Sequence, residues 1–255
     1  MRTYAITGGA TGIGAELKRQ LVAAGHRVIS VDIKEGDVIV DLSTREGRQA
    51  AIDGVRALAP DGLDGFIPCA GLPPVVKPFS LIARVNYFAV IATVEGLRDL
   101  VEKKKGSILF VSSNSAPMIR TDDVFVQSCL AGDDEAAVCA AIDARDGQTA
   151  YAGSKRAMTI WMRRHVVEYA AGGVRLNAVA PGITMTPLTD RVLADAEYGP
   201  AIKAFGDMVP VAHNAQPADI ANVMRFMLSD EASYLCGSVF FIDGGSDAML
   251  RPDDF

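Results

Sequence analysis

The sequence predicts an α/β fold in which a parallel sheet of about seven strands is covered by helices on both faces. Short apolar segments alternate with amphipathic helical patterns from one end of the chain to the other. The apolar segments are nearly continuous, which is typical of strands buried on both faces. With 255 residues, 49 % of them hydrophobic, the chain can bury one large core. No repeat or linker divides it, so we expect a single domain over residues 1–255.

The elements follow one another in a regular order. Strands are expected where apolar runs occur, at residues 3–7, 27–31, 37–40, 64–69, 107–111, 174–179 and 238–242. Helices are expected where apolar residues recur at three- and four-residue spacing. They cover residues 12–25, a segment capped by Ser43 or Thr44, residues 79–100 as one long helix, and residues 151–170.

Two segments interrupt this alternation. Residues 118–148 delay the helix expected after the fifth strand, and their pattern predicts two short helices near 123–131 and 133–146, with Gly147 as a stop. Residues 184–216 form a long apolar excursion beyond a strand end, where α/β proteins place loops that cover a substrate. We name these segments the insertion and the substrate loop. A surface packing loop is the alternative for the second.

Composition excludes several functional classes. The chain carries 25 basic and 31 acidic side chains without a basic cluster, which disfavours binding to nucleic acid or to an anionic membrane. No run approaches the roughly 18 apolar residues of a membrane span. The four cysteines and three histidines have no metal-ligand spacing, so we expect no metal site and no disulfide framework. Without a secretory pattern at its start, the chain is expected to be cytoplasmic.

A glycine-rich turn after the first strand predicts a dinucleotide site. Residues 7–14 read Thr-Gly-Gly-Ala-Thr-Gly-Ile-Gly and lead into the first helix, whose N-terminal amides can hold a pyrophosphate. Asp32 ends the second strand, 18 residues after Gly14. A carboxylate there accepts hydrogen bonds from ribose hydroxyls and repels a 2′-phosphate, so NAD(H) is favoured over NADP(H). Lys34 is close by, and its positive charge is expected to reduce the preference for NAD(H) over NADP(H).

The spacing Gly8, Gly12, Gly14 resembles the short-chain dehydrogenase/reductase family. Further family landmarks occur in the family's order over essentially the whole chain, which is far more specific than any one motif. They are Asp41-Leu42, Cys69-Ala70-Gly71, Asn86, Ser112-Ser113, Tyr151-Ala-Gly-Ser-Lys155 and Pro181-Gly182. The resemblance implies a Rossmann fold that binds NAD(H) and oxidises an alcohol or reduces a carbonyl.

The resemblance also implies a catalytic set of Asn86, Ser113, Tyr151 and Lys155. Tyr151 and Lys155 are four residues apart and therefore share a helix face. An ammonium one turn away and a positively charged nicotinamide both lower the pKa of a phenol, so Tyr151 is expected to act as the acid and base. Ser113 would hold the substrate oxygen, with Ser112 as the competing choice. Asn86 would support a water that connects Lys155 to solvent.

The remaining cofactor contacts are also implied by the resemblance. They are assigned to the glycine turn, to the adenine side, to the fourth strand end and to the segment after the sixth strand. In order, these are Gly8, Thr11, Gly12, Ile13, Gly14, Asp32, Asp41, Leu42, Cys69, Ala70, Gly71, Tyr151, Lys155, Pro181, Gly182, Thr184 and Thr186. Thr184 is favoured over Thr186. Cys69 stands where the family commonly has Asn, which puts that position's hydrogen bonds in doubt.

The insertion points to a narrower resemblance. Together with the motifs above and Met249-Leu-Arg-Pro near the end, it resembles the bacterial 3α-hydroxysteroid dehydrogenase/carbonyl reductases. That resemblance implies a hydrophobic alcohol or ketone substrate, with a 3α-hydroxysteroid as the lead. Another secondary alcohol, polyol or cis-diol is the alternative, and a non-catalytic NAD-binding sensor is a distant one.

The insertion also carries most of the acidity of the chain. Residues 118–148 hold seven acidic and two basic side chains, while the formal charge of the whole chain is −6. We expect a solvated acidic face and an apolar face that packs against a partner subunit. Because a bulky addition here could block the family's tetramer interface, a homodimer is expected, with a tetramer as the alternative.

Overall fold

The protein is described by a computed structural model over residues 1–254, and its architecture confirms the predicted fold class. Within these residues seven parallel strands form one sheet, in the order β3-β2-β1-β4-β5-β6-β7. The strands are β1 Thr3–Thr7, β2 Arg27–Asp32, β3 Val38–Ile39, β4 Gly65–Pro68, β5 Ser107–Val111, β6 Arg175–Pro181 and β7 Val239–Ile242. The strand order reverses between β1 and β4, which opens a crevice at their carboxyl ends.

Helices cover both faces of the sheet. Outside the insertion, the substrate loop and the C-terminal end, they are α1 Gly12–Ala23, α2 Arg45–Leu58, α3 Phe79–Ala83, α4 Ala89–Lys104, α7 Gly147–Ala171 and α10 Pro217–Met227. Within those three segments they are α5 Val124–Ala131, α6 Glu135–Asp143, α8 Pro187–Leu193, α9 Gly199–Asp207 and α11 Ser246–Leu250. One apolar layer lies between the sheet and α2, α4 and α7, and the other lies between the sheet and α1 and α10.

The long helix predicted at residues 79–100 is interrupted. A π-helical turn, Arg84–Phe88, separates α3 from α4, and Asn86 lies within it. In a π turn each carbonyl accepts from the amide five residues on, and such turns occur frequently at functional sites. Apolar periodicity does not reveal this turn, because Val85 and Tyr87 remain buried across it.

The helical run Phe79–Lys104 is long and apolar enough, by length and composition, to cross a membrane. The sequence analysis did not predict a segment of this kind, because polar residues interrupt the run and no continuous stretch of about 18 apolar residues occurs in it. More than half of its most apolar window is buried inside the protein. The run is therefore accounted for as a central core helix of the α/β fold.

The insertion contains two short helices, as predicted, but its ends and its packing differ from expectation. Asp146 accepts a hydrogen bond from the Thr149 amide, so Gly147 begins α7 instead of stopping the preceding helix. Helix α5 packs on α7 and α6 packs on α3. The apolar faces of α5 and α6 are thus buried within the chain itself, so the expectation that they pack against a partner subunit was wrong.

Most acidic side chains of the insertion are exposed to water, as predicted, and several of them also cap helices. Asp123, Asp134 and Asp146 cap helix N-termini, where a carboxylate satisfies free amides. Asp123 is in addition bound by both terminal nitrogens of Arg145, at 2.9 Å each. Three acidic side chains of the segment therefore mark the residues at which α5, α6 and α7 begin.

Candidate active site

A cleft of about 620 Å³ lies at the carboxyl ends of the strands, beside the point where the strand order reverses. Its volume is in the range of small-molecule and cofactor sites. It is lined by every cofactor-binding residue predicted from the sequence, from Gly8 to Thr186, and by Ser113. The tertiary structure thus brings together residues from seven separate segments of the chain. Asn86 is the only predicted site residue that does not line the cleft.

The glycine turn is shaped by close backbone approaches. A Cβ on Gly8 would lie 2.7 Å from the Ala70 Cα, and Gly8 has a positive φ of 72°. A Cβ on Gly14 would lie 2.2 Å from the Gly8 carbonyl oxygen. Thr7 adds a side-chain link, because its Oγ1 accepts from the Ala70 amide at 3.1 Å. Side chains at these two glycine positions would push β1, α1 and the β4 end apart.

Asp32 lies at the end of β2 and faces the glycine turn. Its Oδ2 accepts from the Ala10 amide at 3.1 Å, and its Oδ1 accepts from the Ile33 and Lys34 amides at 2.7 and 3.3 Å. These bonds fix the carboxylate at the cleft wall. Lys34, which is exposed, lines the same wall. One acidic side chain, Asp32, and one basic side chain, Lys34, therefore lie at the wall where a ribose would be recognised.

The two serines after β5 have different surroundings. The Ser112 hydroxyl is paired with Thr159 Oγ1 at 2.7 Å inside the protein. The Ser113 hydroxyl lies 2.9 Å from Ser115 Oγ, and Ser113 lines the cleft together with Tyr151. Thr159 thus takes the Ser112 hydroxyl inside the protein, whereas Ser113 has its side-chain partner in the neighbouring Ser115.

Tyr151 and Lys155 lie one turn apart on α7, and both face the cleft. Lys155 is 4 % exposed, and its ammonium donates to the Val111 carbonyl at 2.7 Å. Burial lowers the pKa of Lys155 to about 8, with Cys69 opposing. Burial raises the pKa of Tyr151, with the Ser113 hydrogen bond opposing. In the protein alone burial thus outweighs the lowering predicted from Lys155, and the second predicted cause of lowering, a positively charged nicotinamide, acts only in the complex with NAD.

Cys69 replaces an asparagine at the β4 end and contributes no hydrogen bond to the site. Its sulfur would be 3.5 Å from a Cβ on Gly14, so it fills the space under the first helix turn. Burial raises the pKa of the thiol to about 11, with Lys155 opposing. At neutral pH Cys69 is thus a neutral, apolar filler of the cleft floor.

Asn86 is completely buried behind the cleft. Its Oδ1 accepts from the Leu72 amide at 2.8 Å, and its Nδ2 donates to the Leu72 carbonyl at 3.0 Å. The side chain therefore holds the segment after Gly71, where a Cβ would be 3.5 Å from Asn86 Oδ1 and 3.8 Å from Lys155 Nζ. Asn86 lies next to Lys155 without entering the cleft.

The two threonines after Pro181-Gly182 have different structural roles. Thr184 is buried and donates to the Gly182 carbonyl at 3.0 Å. Thr186 is the N-cap of α8, accepting from the Thr189 amide at 3.3 Å, and its side chain lies 3.3 Å from where a Gly12 Cβ would be. The start of the substrate loop thus closes over the glycine turn.

The residues present fit a nicotinamide dinucleotide. The fit rests on a cradle that side chains at Gly8 and Gly14 would disrupt, and on a buried ammonium at the cleft floor. Helix α1 directs its N-terminal amides into the same cleft, which suits a pyrophosphate. No group of three or more potential metal ligands occurs among residues 1–254.

Sequence reasoning missed several residues of the cleft. They are Ser43, Leu72, Pro73, Leu81, Val85, Leu188 and Arg191, together with Ser115 beside Ser113. The apolar members come from the segment after β4, α3, the π turn and α8, and they line up only in the folded chain. Ser115, two residues after Ser113, is the one that a search for hydroxyls near the serine pair could have found.

Comparison with known proteins identifies relatives of the whole chain. Residues 2–122 match the family described as short chain dehydrogenase, and residues 135–247 match one described as enoyl-(acyl carrier protein) reductase. The stretch between them contains α5 of the insertion.

The similarity extends to single proteins over their full length. The chain is 38 % identical, over all of both chains, to the 3-alpha-hydroxysteroid dehydrogenase/carbonyl reductase of Comamonas testosteroni. It is 28 % identical, over 97 % of each chain, to the cis-4-hydroxycyclohexanecarboxylate dehydrogenase of Sinomonas cyclohexanicum.

A solved structure supports the same relationship. The crystal structure of the 3-alpha-hydroxysteroid dehydrogenase from Pseudomonas sp. B-0831, complexed with NADH, matches with a TM-score of 0.96. The identity is 39 %, and the match covers 99 % of this chain and 100 % of that one. Full-length identity, the family match and the cleft geometry agree, and this chain belongs to the short-chain dehydrogenase family of oxidoreductases.

Proposed function

We propose that the protein interconverts a secondary alcohol and a ketone with NAD(H), and that a 3α-hydroxysteroid is its lead substrate. The observation that carries the proposal is that Ser113, Tyr151 and the buried Lys155 line one cofactor-sized cleft, with the Lys155 ammonium held by the Val111 carbonyl. The cofactor roles assigned to the glycine turn, Asp32, the β4 end and Pro181–Thr186 are part of the same proposal.

The chain supplies the proton chemistry. When bound, the cofactor supplies the hydride acceptor for oxidation or the hydride donor for reduction. Ser113 donates a hydrogen bond to the substrate oxygen, and Tyr151 gives that oxygen a proton during reduction or takes one during oxidation. Since burial raises the pKa of Tyr151, the phenol keeps its proton at neutral pH. Reduction should therefore decline, and oxidation should increase, as pH rises through the phenol's pKa.

The preference for NAD(H) over NADP(H) is assigned to Asp32. Its carboxylate is fixed by three amides at the cleft wall, where it would accept from ribose hydroxyls and repel a phosphate. Lys34, on the same wall, favours the phosphate and narrows the preference. The matched crystal structure from Pseudomonas is a complex with NADH, which supports the same choice for this chain.

A hydrophobic substrate is supported by one side of the cleft. Leu72, Pro73, Leu81, Val85 and Leu188 of α8 all line it. Burying a fused-ring hydrocarbon against such a surface contributes about 25 cal/mol per Å² of apolar area removed from water. The names of the relatives from Comamonas and Pseudomonas support a steroid alcohol for this cleft.

A second candidate substrate is a cyclic alcohol that carries a carboxylate. The observation that favours it is Arg191, an exposed cation that lines the cleft and makes no ion pair within residues 1–254. Arginine recognises carboxylates through a two-bond fork. The relative from Sinomonas, named for a hydroxycyclohexanecarboxylate, supports this alternative.

A steady-state screen distinguishes these possibilities. NADH absorbance should change with 3α-hydroxysteroids and NAD, and should change less with NADP, polyols or cis-diols. Higher kcat/KM for a cyclic hydroxy acid would favour the second candidate. NADH binding without turnover of any alcohol or ketone would favour a sensor and contradict the enzyme assignment.

Tyr151→Phe isolates the proton-transfer step. The substitution should lower kcat by about 10²–10⁴, because it removes general acid–base catalysis. NADH affinity should stay close to wild type, since the ring remains in place. Fluorescence titration with NADH is the control for folding. Wild-type turnover in this variant would remove Tyr151 from the catalytic set.

We also propose a cytoplasmic homodimer. The exposed apolar side chains Met118 and Val124, both in the insertion, support an assembly surface there. Sedimentation velocity separates a dimer from the tetramer that is the alternative.

A further inference from the structure

A buried arginine braces one wall of the cleft from behind. Arg48 lies in the first turn of α2 and is 5 % exposed. Its Nε donates to the Leu42 carbonyl at 2.9 Å, and its Nη2 donates to the Ser43 carbonyl at 3.3 Å. Leu42 and Ser43 line the cleft next to Asp41, on the side assigned to the adenine. The guanidinium therefore fixes the backbone of this wall without entering the cleft.

The same guanidinium is held by the insertion. Its Nη1 and Nη2 donate to the two carboxylate oxygens of Glu135, at 2.8 and 2.9 Å. Glu135 is the first residue of α6, and its side chain is 13 % exposed. Burial raises the pKa of Glu135, but hydrogen bonds and charge from Arg48 and Arg45 lower it by more than burial raises it. The pKa of Glu135 is therefore below its usual value, and the carboxylate stays ionised.

A third element is attached to this pair. Nη2 of Arg48 also donates to the Arg84 carbonyl at 3.2 Å, and this carbonyl accepts the Ala89 amide that closes the π turn. Arg48 thus joins the cleft wall, the π turn and the insertion, although Glu135 is 87 residues away in the chain. Two-bond arginine–carboxylate pairs fix geometry as well as contributing energy.

Local contacts alone hold this wall weakly. The Ser43 amide donates to Asp41 Oδ1 at 2.9 Å, and Thr44 Oγ1 donates to the Asp41 carbonyl at 3.1 Å. Both bonds lie within one turn, and Asp41 and Thr44 are exposed to water. The buried bonds from Arg48 join the wall to the rest of the protein together with the core packing of Leu42 and the backbone bond from Val40 to Asp32 at 3.0 Å.

We infer that Arg48 and Glu135 are positioning residues through which the insertion sets the affinity for the adenosine half of the cofactor. The inference rests on the proposed NAD(H) site. Neither residue touches the substrate or the reacting atoms. Asn86, Tyr151 and Lys155 have other hydrogen-bond partners, so the effect should fall on cofactor binding before it falls on the proton-transfer step.

Arg48→Lys tests the inference by keeping the charge and removing the planar fork. We expect ADP-ribose, titrated calorimetrically, to bind about tenfold more weakly, which equals about 1.4 kcal/mol and the value of one charged hydrogen bond. The KM for NAD should increase by a similar factor, while kcat at saturating NAD should fall less than about threefold.

Arg56→Lys is the matched control. Arg56 is on the same helix and binds both oxygens of Asp99, at 3.0 and 2.5 Å, and the Gly96 carbonyl at 2.6 Å. That pair lies away from the cleft, so ADP-ribose affinity should remain unchanged. Equal effects of the two substitutions would mean that Arg48 acts only through general stability, and would overturn the inference.

Glu135→Gln is a gentler second variant. The glutamine side chain keeps the size of glutamate and one of its two oxygen acceptors for Arg48, so this variant should fold even if Arg48→Lys does not. It should weaken ADP-ribose binding about threefold. Wild-type affinity in this variant would overturn the role of the insertion. If the wild-type protein itself failed to bind ADP-ribose, the cofactor proposal would fall together with this inference.

Discussion

The insertion and the substrate loop differ in how they are attached, although both are pairs of short helices that follow a strand end. In the insertion, Phe125, Val126, Val138 and Ile142 are at most 4 % exposed. In the substrate loop, Met208 and Val211 are 57 % and 54 % exposed. Helices α5 and α6 pack on α7 and α3, whereas α8 and α9 contact mainly each other.

The two ends of the substrate loop are joined to each other by backbone hydrogen bonds. The Met185 amide donates to the Ala215 carbonyl at 2.8 Å, and the Ala215 amide donates to the Ile183 carbonyl at 2.9 Å. The loop is therefore closed at its base and only lightly packed beyond it. Segments with few buried apolar contacts open at low free energy, and loops that cover active sites are of this kind. The comparison indicates a fixed wall on one side of the cleft and a lid on the other.

Matched phenylalanine substitutions test this difference most strongly. Phe125 in α5 is 4 % exposed and packs against Gly153 of α7. Phe125→Ala should lower the free energy of unfolding by about 3–5 kcal/mol. Phe205→Ala in α9, where the ring is half-buried, should cost less than half as much. Denaturant unfolding of both variants measures the two values, and equal losses would show that the lid is packed as firmly as the wall.

The buried ammonium on α7 gives a pH-dependent test of the fixed side. The pKa of Lys155 falls from 10.5 to about 8 on folding, so charging it opposes folding. Stability relative to a Lys155→Met variant should therefore decrease as pH falls from about 10.5 to about 8, by about 3 kcal/mol, and stay constant below.

Lys103→Met is the control for that experiment. Its ammonium also donates to a carbonyl, that of Pro60 at 3.2 Å, but the side chain is exposed. The difference in unfolding free energy between this variant and wild type should not change with pH. A flat profile for Lys155→Met as well would show that Lys155 is hydrated.

The smallest expected effect concerns the lid. Leu188 is half-buried on α8 and lines the cleft. Leu188→Ala should change the free energy of unfolding by less than about 1 kcal/mol, since the site is lightly packed. The KM for a hydrophobic alcohol should rise about five- to tenfold, because about 1–1.5 kcal/mol of apolar contact is lost. An unchanged KM would remove α8 from the substrate site.

Much of the site could be predicted because its parts are local patterns. The glycine turn depends on residues 7–14 alone, and the Tyr151–Lys155 pair depends on the helical repeat. Their order along the chain was enough to place them at strand ends. The resemblance already favoured Ser113 over Ser112, and the folded chain adds a physical reason, since Thr159 takes the Ser112 hydroxyl.

The sequence by itself determined the order of strands and helices, the fold class and those cleft residues that belong to short motifs, because each depends on periodicity or on a local pattern. Tertiary structure decided which apolar faces are buried, the direction of the Tyr151 pKa shift and the bond between Arg48 and Glu135. These depend on burial and on contacts between distant segments. An amphipathic helix looks the same in sequence whether its apolar face meets its own chain or a partner, and only the folded chain shows that the insertion meets its own.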